Sequence, residues 1–417
     1  MKNTEVFGTL LLLNHTRLVM TDNGFLERRN GAIDMLRGLT MFLMVLVNDL
    51  WTVDRVPAWI EHTAATQDGM GLADIVFPMF LFSVGMSIPY ALERRFSKGQ
   101  PGEGIFGHIL SRTLALILMG VFLVNSEGSF APVFGYGKAF YWVLVVIGFF
   151  LVWNQYPKDF KPKKWLQIIG ILILAFLAIT FRDGEGGYFR SSWWGILGLI
   201  GWAYLFCATA WMLSRKKPWI ILLLWLAVVI LNMLTTGLRD GIQLIGEGNF
   251  ISDFARAIHL DNGSCALMVL GGMVTTLADR KIYEKGTMPR ICTGIAAAVL
   301  LALLGWVAHR FWITSKIIGT LPWCLYVSSI SVALYTLLRY HEKRGRTGWF
   351  KPLRPAGTAT LTVYMMPYLY YALWVALSPS MPAWLGGGVG TLKCALFSML
   401  CIATAWLIGK AGLKLKI

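Results

Sequence analysis

Asn48, Asp49, Asp54, His62 and Asp74 fall close together in the chain, and His62 is one of only six histidines. An imidazole ordinarily exchanges protons near neutral pH and so can act as a general base. A neighbouring carboxamide can hold an acceptor or donate to a developing oxyanion, and a carboxylate can orient the imidazole. Each residue also has a plain reading: a solvated interfacial histidine, an asparagine bonded to a neighbouring helix, aspartates that cap or face water.

The elements that must position these groups are membrane spans. The chain has 417 residues, is 56% hydrophobic and only 14% charged. Apolar runs recur that are long enough to cross a hydrocarbon core roughly 30 Å thick. They lie at 35–52, 72–92, 108–125, 138–154, 166–181, 193–213, 219–237, 263–278, 291–308, 320–340, 357–377 and 391–409. The expected fold is an all-α polytopic membrane protein of about 12 transmembrane helices, with both termini on the same side.

Short loops rich in Lys and Arg stay in the cytoplasm. Arg94, Arg95 and Lys98 follow the second run, Lys158, Lys161, Lys163 and Lys164 the fourth, and Arg215, Lys216 and Lys217 the sixth. Arg280, Lys281, Lys285, Arg290, Lys343, Arg344, Arg346, Lys351, Arg354 and the tail lysines continue the pattern, placing both termini in the cytoplasm. The crossing at 53–71, with His62, then faces outward. The net charge of +16 follows from this asymmetry and also suits a surface that gathers an anionic, phosphate-bearing ligand. Nothing points to nucleic acid.

Residues 7–13 are too short to span and are followed by no cleavage pattern, so no signal peptide is expected. The six cysteines lie in or beside apolar runs without metal-like spacing and read as small packing residues, so no metal and no tightly bound cofactor is expected. Trp and Tyr near run ends read as an interfacial belt, and Gly195, Gly198 and Gly201 as a ladder for close helix contact. Asp34 and Arg37, three apart, can pair on one helical face. The second run contains Pro78, Pro89, Gly85, Ser83 and Ser87, a composition tolerated where a helix lines protein or water.

The run DMLRG from Asp34, then Asn48, then His62, then ADIVFPMFLFSVGMS from Ala73 resembles the core of the heparan-alpha-glucosaminide N-acetyltransferase family and its bacterial relatives. That family belongs to a wider group of transmembrane acyltransferases. Asn125, GILGLIGWAY at 195–204 and Gly263-Ser264 extend the resemblance. It implies a single transmembrane domain at 34–409, following a cytoplasmic segment at 1–33 and ending in a basic tail at 410–417. The family core has about 10 helices, so 138–181 reads as an inserted hairpin.

The resemblance further implies that His62 is catalytic and Asn48 its neighbour; His62 would act as a general base or, by attacking the thioester, as an acetyl carrier, and Asp74, Asp49 and Asn125 are the expected supporting residues. It implies acetyl transfer from cytoplasmic acetyl-CoA to an amino sugar or glycan outside, in a bacterial inner membrane, with a homodimer left open. Arg37, Arg94, Arg95 and Arg112 are the expected phosphate-binding cations, and Lys316 an expected substrate contact. Three differences stand out. The Asn-to-His spacing is longer than in the family, Gly198 and Leu199 stand where it often has Gln-Arg, and Ser315-Lys316 stands where it has Asn-Lys. Two rival expectations remain: a secondary transporter, and an inactive scaffold of the same fold.

Overall fold

A computed structural model describes residues 30–157, 159–214, 217–246, 248–282, 286–377 and 382–417. Most of the expected segment 1–33 lies outside them, as do Lys158, Arg215, Lys216 and Lys285. Among the described residues there are 14 α-helices and no strand.

The first two helices define the site. α1 (Gly31–Asn48) begins before the apolar run does, because the Asn30 side chain caps it by accepting from the Ile33 N–H at 3.4 Å. α2 (Leu72–Ser97) carries Pro78 and Pro89 within an unbroken helix. They are followed by α3 (Gly102–Asn125), α4 (Lys138–Trp153), α5 (Lys163–Thr180), α6 (Ile196–Ser214) and α7 (Trp219–Thr235). The short α8 (Phe250–Ala257) precedes α9 (Ser264–Ile282), α10 (Thr287–Ala308) and α11 (Leu321–Lys343). A single-turn α12 (Arg354–Thr358) leads to α13 (Thr360–Leu377) and α14 (Gly387–Lys410).

Nine of the described helices are long and apolar enough to cross a membrane, and α4 and α7 are shorter apolar helices. The chain is a multi-pass membrane protein. All twelve expected runs coincide with helices, but α9 carries Asp279, Arg280 and Lys281 in its last turns and is less apolar than the nine. α8 was not expected from the sequence: its eight residues include Asp253 and Arg256, too short and too polar to register as a span.

α2 is the most enclosed long helix, whereas α10 and α5 lie at the periphery. α2 packs chiefly on α9 and α1. Glycine permits the first contact: a Cβ on Gly85 would lie 1.9 Å from the Val269 carbonyl oxygen, and one on Gly272 2.0 Å from that of Phe82. Gly120 similarly lets α3 meet α6, since a Cβ on it would lie 2.7 Å from the Gly198 backbone N. Of the expected ladder, Gly195 and Gly201 face α3, where a Cβ would lie 2.2 Å from Val124 Cγ2 and 3.0 Å from Ile117 Cγ1, whereas one on Gly198 would meet the Trp193 carbonyl oxygen at 2.0 Å.

α4 and α5 form a hairpin that also leans on α13 through α4. The last residues are docked against it. Asn154 and Leu415 form an antiparallel bridge, the Lys416 N–H donates to the Trp153 carbonyl at 2.9 Å, and the Leu415 N–H donates to Thr362 Oγ1 at 3.0 Å.

Candidate active site

Between the 3-10 turn at Leu50–Thr52 and α2, the crossing has no helix of its own. Its shape comes from the backbone of α2. The carbonyls of Trp59 and Ile60 accept the N–H groups of Leu72 at 2.9 Å and Ala73 at 3.0 Å. Those donors have no partner inside the helix, so loop and helix start fix each other. Ile60 is buried beneath, and Gly71 permits the approach, since a Cβ there would sit 2.0 Å from the Glu61 carbonyl oxygen. His62 follows directly.

Asp74 sits in the first turn of α2. Its Oδ2 accepts from the backbone N–H groups of Thr63 and Gly71, both at 3.0 Å. Its Oδ1 lies 2.7 Å from His62 Nδ1. The Asp74 side chain is 0% exposed and that of His62 50% exposed, so the pair has a buried anchor and a solvent-reachable ring. An ionised carboxylate only accepts. The contact therefore assigns the proton to Nδ1 and leaves Nε2 as the basic nitrogen. From α11, Trp323 Nε1 donates to the Asp74 carbonyl at 3.1 Å, holding this turn against the bundle.

Lys316 joins from the loop before α11. Its Nζ lies 3.2 Å from His62 Nδ1, 3.9 Å from Asp74 Oδ1 and 3.4 Å from the Ala73 carbonyl. With Nδ1 protonated, the carboxylate and the carbonyl are the partners of the ammonium. Burial pushes the Lys316 ammonium below the usual lysine range, against the opposing attraction of Asp74.

A second carboxylate, which sequence reasoning missed, ties these two loops together. Asp68 Oδ1 accepts the Thr314 N–H at 2.8 Å and lies 2.8 Å from His309 Nε2, while Oδ2 accepts from Arg239 at 2.7 Å. Beside it, the Gly69 N–H donates to the Thr314 carbonyl at 2.9 Å and Ser315 Oγ to the Ala65 carbonyl at 3.0 Å. Burial opposes ionisation of Asp68, but the Thr314 N–H, His309 and Arg239 outweigh it and hold the carboxyl below its usual range. The only hint in the sequence was an acid in a short crossing. Its partners lie far along the chain.

Asn48, Asp49, Asp54 and Asn125 make no hydrogen bond or ion pair with His62 among the described residues. Asn48 ends α1, half-buried, its side chain without a hydrogen-bond partner among the described residues. Asp49 is buried against Lys393, whose Nζ donates at 2.7 Å, and accepts from Tyr371 OH at 3.1 Å, so its orienting partners are on α14 and α13. Asp54 is exposed. Asn125 bridges to the loop before α6, accepting the Arg190 N–H at 3.0 Å and donating to the Arg190 carbonyl at 2.8 Å.

At the opposite end of α1 and α2 a cavity of about 560 Å³ is lined by Arg37, Arg94 and Arg112, with Tyr204, Tyr364 and Lys416. Arg37 donates to the Gly357 carbonyl at 3.2 Å and to Ser87 Oγ, and pairs with Asp34 at 3.7 Å. Arg112 lies 4.7 Å over the Tyr204 ring, and its buried Nε has no hydrogen-bond partner among the described residues. Arg95 is not part of the lining. It donates to Gln100 at 3.1 Å and lies 2.9 Å from His108 Nε2. The cavity reaches inward to Met44 and Phe80, and Phe80 lies about 9 Å along α2 from Asp74 at the helical rise.

Fold and site together define a multi-pass helical membrane protein with a carboxylate-anchored histidine at one end of its central helices and an arginine-lined cavity at the other. Residues 29–242, just over half of the chain, match the family described as "Domain of unknown function (DUF5009)". The chain belongs to that family. It is also 28% identical over 181 residues to the mouse protein named heparan-alpha-glucosaminide N-acetyltransferase, covering 37% of this chain and 26% of that relative. The human protein of the same name is 31% identical over 111 residues, covering 26% of this chain and 15% of the relative. The chain thus spans about a quarter or less of the curated relatives it matches.

Proposed function

We propose that this protein is a membrane acetyltransferase that moves an acetyl group from acetyl-CoA to an amine or hydroxyl acceptor at the His62 end of the bundle. The observation that carries the reading is the 2.7 Å contact between His62 Nδ1 and the fully buried Asp74. Similarity to parts of two proteins named as N-acetyltransferases supports the reaction class.

In this reading the Lys- and Arg-rich loops face the cytoplasm of a bacterial cell, and the arginine-lined cavity receives the phosphates of acetyl-CoA. The acetyl-bearing arm extends along α2 toward Asp74. At the outer mouth, His62 Nε2 takes the proton of the acceptor as its nitrogen or oxygen attacks the thioester carbonyl. The tetrahedral intermediate collapses, the C–S bond breaks, and the imidazolium returns the proton to the departing thiolate. Asp74 holds the imidazole in the productive tautomer throughout and stabilises its charged form. Asn48, at the same end of α1, supplies a carboxamide for the acceptor or the oxyanion, and Lys316 adds a cation beside the ring. Amino sugars and envelope glycans are the acceptor class.

The test uses membranes holding the full chain, labelled acetyl-CoA and a panel of hexosamines and oligosaccharides. His62→Ala is expected to lower acetyl transfer and CoA release by at least about 10²-fold, in keeping with the loss of a general base. Unchanged turnover in that variant overturns the assignment. Movement of the sugar across sealed vesicles without CoA release would make the protein a transporter instead.

A further inference from the structure

A second cavity lies on the outside of the bundle, along the seam between α10 and α11. It holds about 590 Å³. Its α10 wall carries Ile291, Ile295, Ala298 and Ala302, and its α11 wall Ser329 and Ala333. These spacings keep one face of each helix toward the groove for about 16 Å along α10. The polar atom at its floor is already used, since Ser329 Oγ donates to the Ala298 carbonyl at 2.7 Å. What remains is an apolar trough with small side chains at its base; Val299 in its wall and the neighbouring Leu300, Leu303 and Leu304 of α10 are exposed.

The groove changes character at one end. It finishes at Tyr340 and Arg344, with the guanidinium stacked 4.6 Å over the Tyr340 ring. Next to it is a small polar crevice lined by Asp279, Thr287, Arg290, Arg339 and Lys343, in which Asp279 already pairs with Arg290 and Arg339. The two cavities share Ile291, Thr336 and Tyr340 as walls, so they adjoin. Lys343 and Arg344 are both exposed, and among the described residues the one hydrogen bond of Lys343 Nζ goes to the neutral Thr287 hydroxyl, at 2.9 Å. A long apolar trough ending in exposed cations has the polarity of a phospholipid with a negatively charged head group.

We propose that the α10/α11 seam is a binding site for one anionic phospholipid, with an acyl chain in the groove and the head-group phosphate between Arg344 and Lys343. Basic pockets between transmembrane helices recognise such head groups, and each Lys or Arg near the surface shifts anionic-lipid binding by about fivefold. A zwitterionic lipid fills the same groove but leaves the two cations uncompensated. The site is remote from His62 and does not depend on the proposed reaction.

Native mass spectrometry of the detergent-purified full chain tests it, with palmitoyl-oleoyl phosphatidylglycerol and phosphatidylcholine added separately. The protein is expected to retain one phosphatidylglycerol at least about fivefold better than phosphatidylcholine. The double substitution Lys343→Gln and Arg344→Gln removes that preference while leaving phosphatidylcholine unaffected. Both positions are exposed, so folding is not at stake. Ala333→Phe fills the groove and lowers retention of both lipids. Equal retention of the two lipids by the unaltered chain, or a preference untouched by the double substitution, overturns the proposal. So does a dimer mass that Ala333→Phe abolishes, which would make the groove a contact between two copies of the chain.

Discussion

At the scale of single residues, the burial of Asp74 decides what its replacement does. Its four contacts are all donors or a cation, which suits a carboxylate and no neutral isostere. Asp74→Asn keeps the size and can still accept from Thr63 and Gly71 through its carbonyl oxygen. Its NH₂ group, however, would donate toward His62 Nδ1 and favour the tautomer with the proton on Nε2. Acetyl transfer is expected to fall by about 10²-fold or more in a chain that still folds, with a thermal midpoint lowered by the loss of the charge facing His62 and Lys316. Assay and melting curve on the same preparation check this, and full activity would show that Asp74 does not set the tautomer. His62, Asp74 and Lys316 were all legible as candidates, because polar groups beside apolar runs are conspicuous. Which carboxylate serves the imidazole was not. Asp49, Asp54 and Asp74 looked equivalent until the fold gave Asp49 to Lys393 and Tyr371 and left Asp54 exposed.

At the scale of elements, the site is an agreement between two loops, 53–71 and 309–320, that lie far apart in sequence. Asp68 fastens them, and its effect on chemistry is expected to run through the placement of Lys316. Asp68→Ala should therefore lower kcat for acetyl transfer with little change in the KM for acetyl-CoA. In a Lys316→Ala background the further loss from Asp68→Ala should largely vanish, because coupled residues are not additive. Additive losses would reduce Asp68 to a general support of the fold. The sign of its pH dependence follows from its lowered folded-state pKa. The stabilisation is complete above the unfolded value of about 3.9 and disappears as pH falls through the lower folded value. Melting points of the unaltered chain and Asp68→Asn should converge only below about pH 4. None of this clamp could be read from the sequence, because His309 and Arg239 carry no local signal of pairing with residue 68. The helices were far more legible, since length and apolarity suffice for a span. The exceptions have local causes: α1 starts early because Asn30 caps it, and α8 is too short to register.

At the scale of the whole molecule, the question is how two ends of one bundle take part in one reaction. Ser87, which holds Arg37 over the cavity, lies 13 residues beyond Asp74 on α2, or about 20 Å at the helical rise. The arginine-lined cavity covers part of that distance and stops about 9 Å short. A donor with a charged head and a long arm ending in a thioester fits such a layout, and the head is where specificity can be measured. Arg112 is the most informative position, because among the described residues its buried Nε lacks a hydrogen-bond partner and its guanidinium stacks on Tyr204. Arg112→Gln is expected to raise the KM for acetyl-CoA by about tenfold, equivalent to about 1.4 kcal/mol, with kcat nearly unchanged, as for an interaction made equally in ground and transition states. Acetyl-CoA lacking its 3′-phosphate adds a second readout. If Arg112 meets a phosphate of the head group, the preference for the complete donor should shrink in the variant along with the affinity. A KM and a preference both equal to those of the unaltered chain would remove this cavity from the donor's path. The His62 end would then have to receive both substrates from its own side of the membrane.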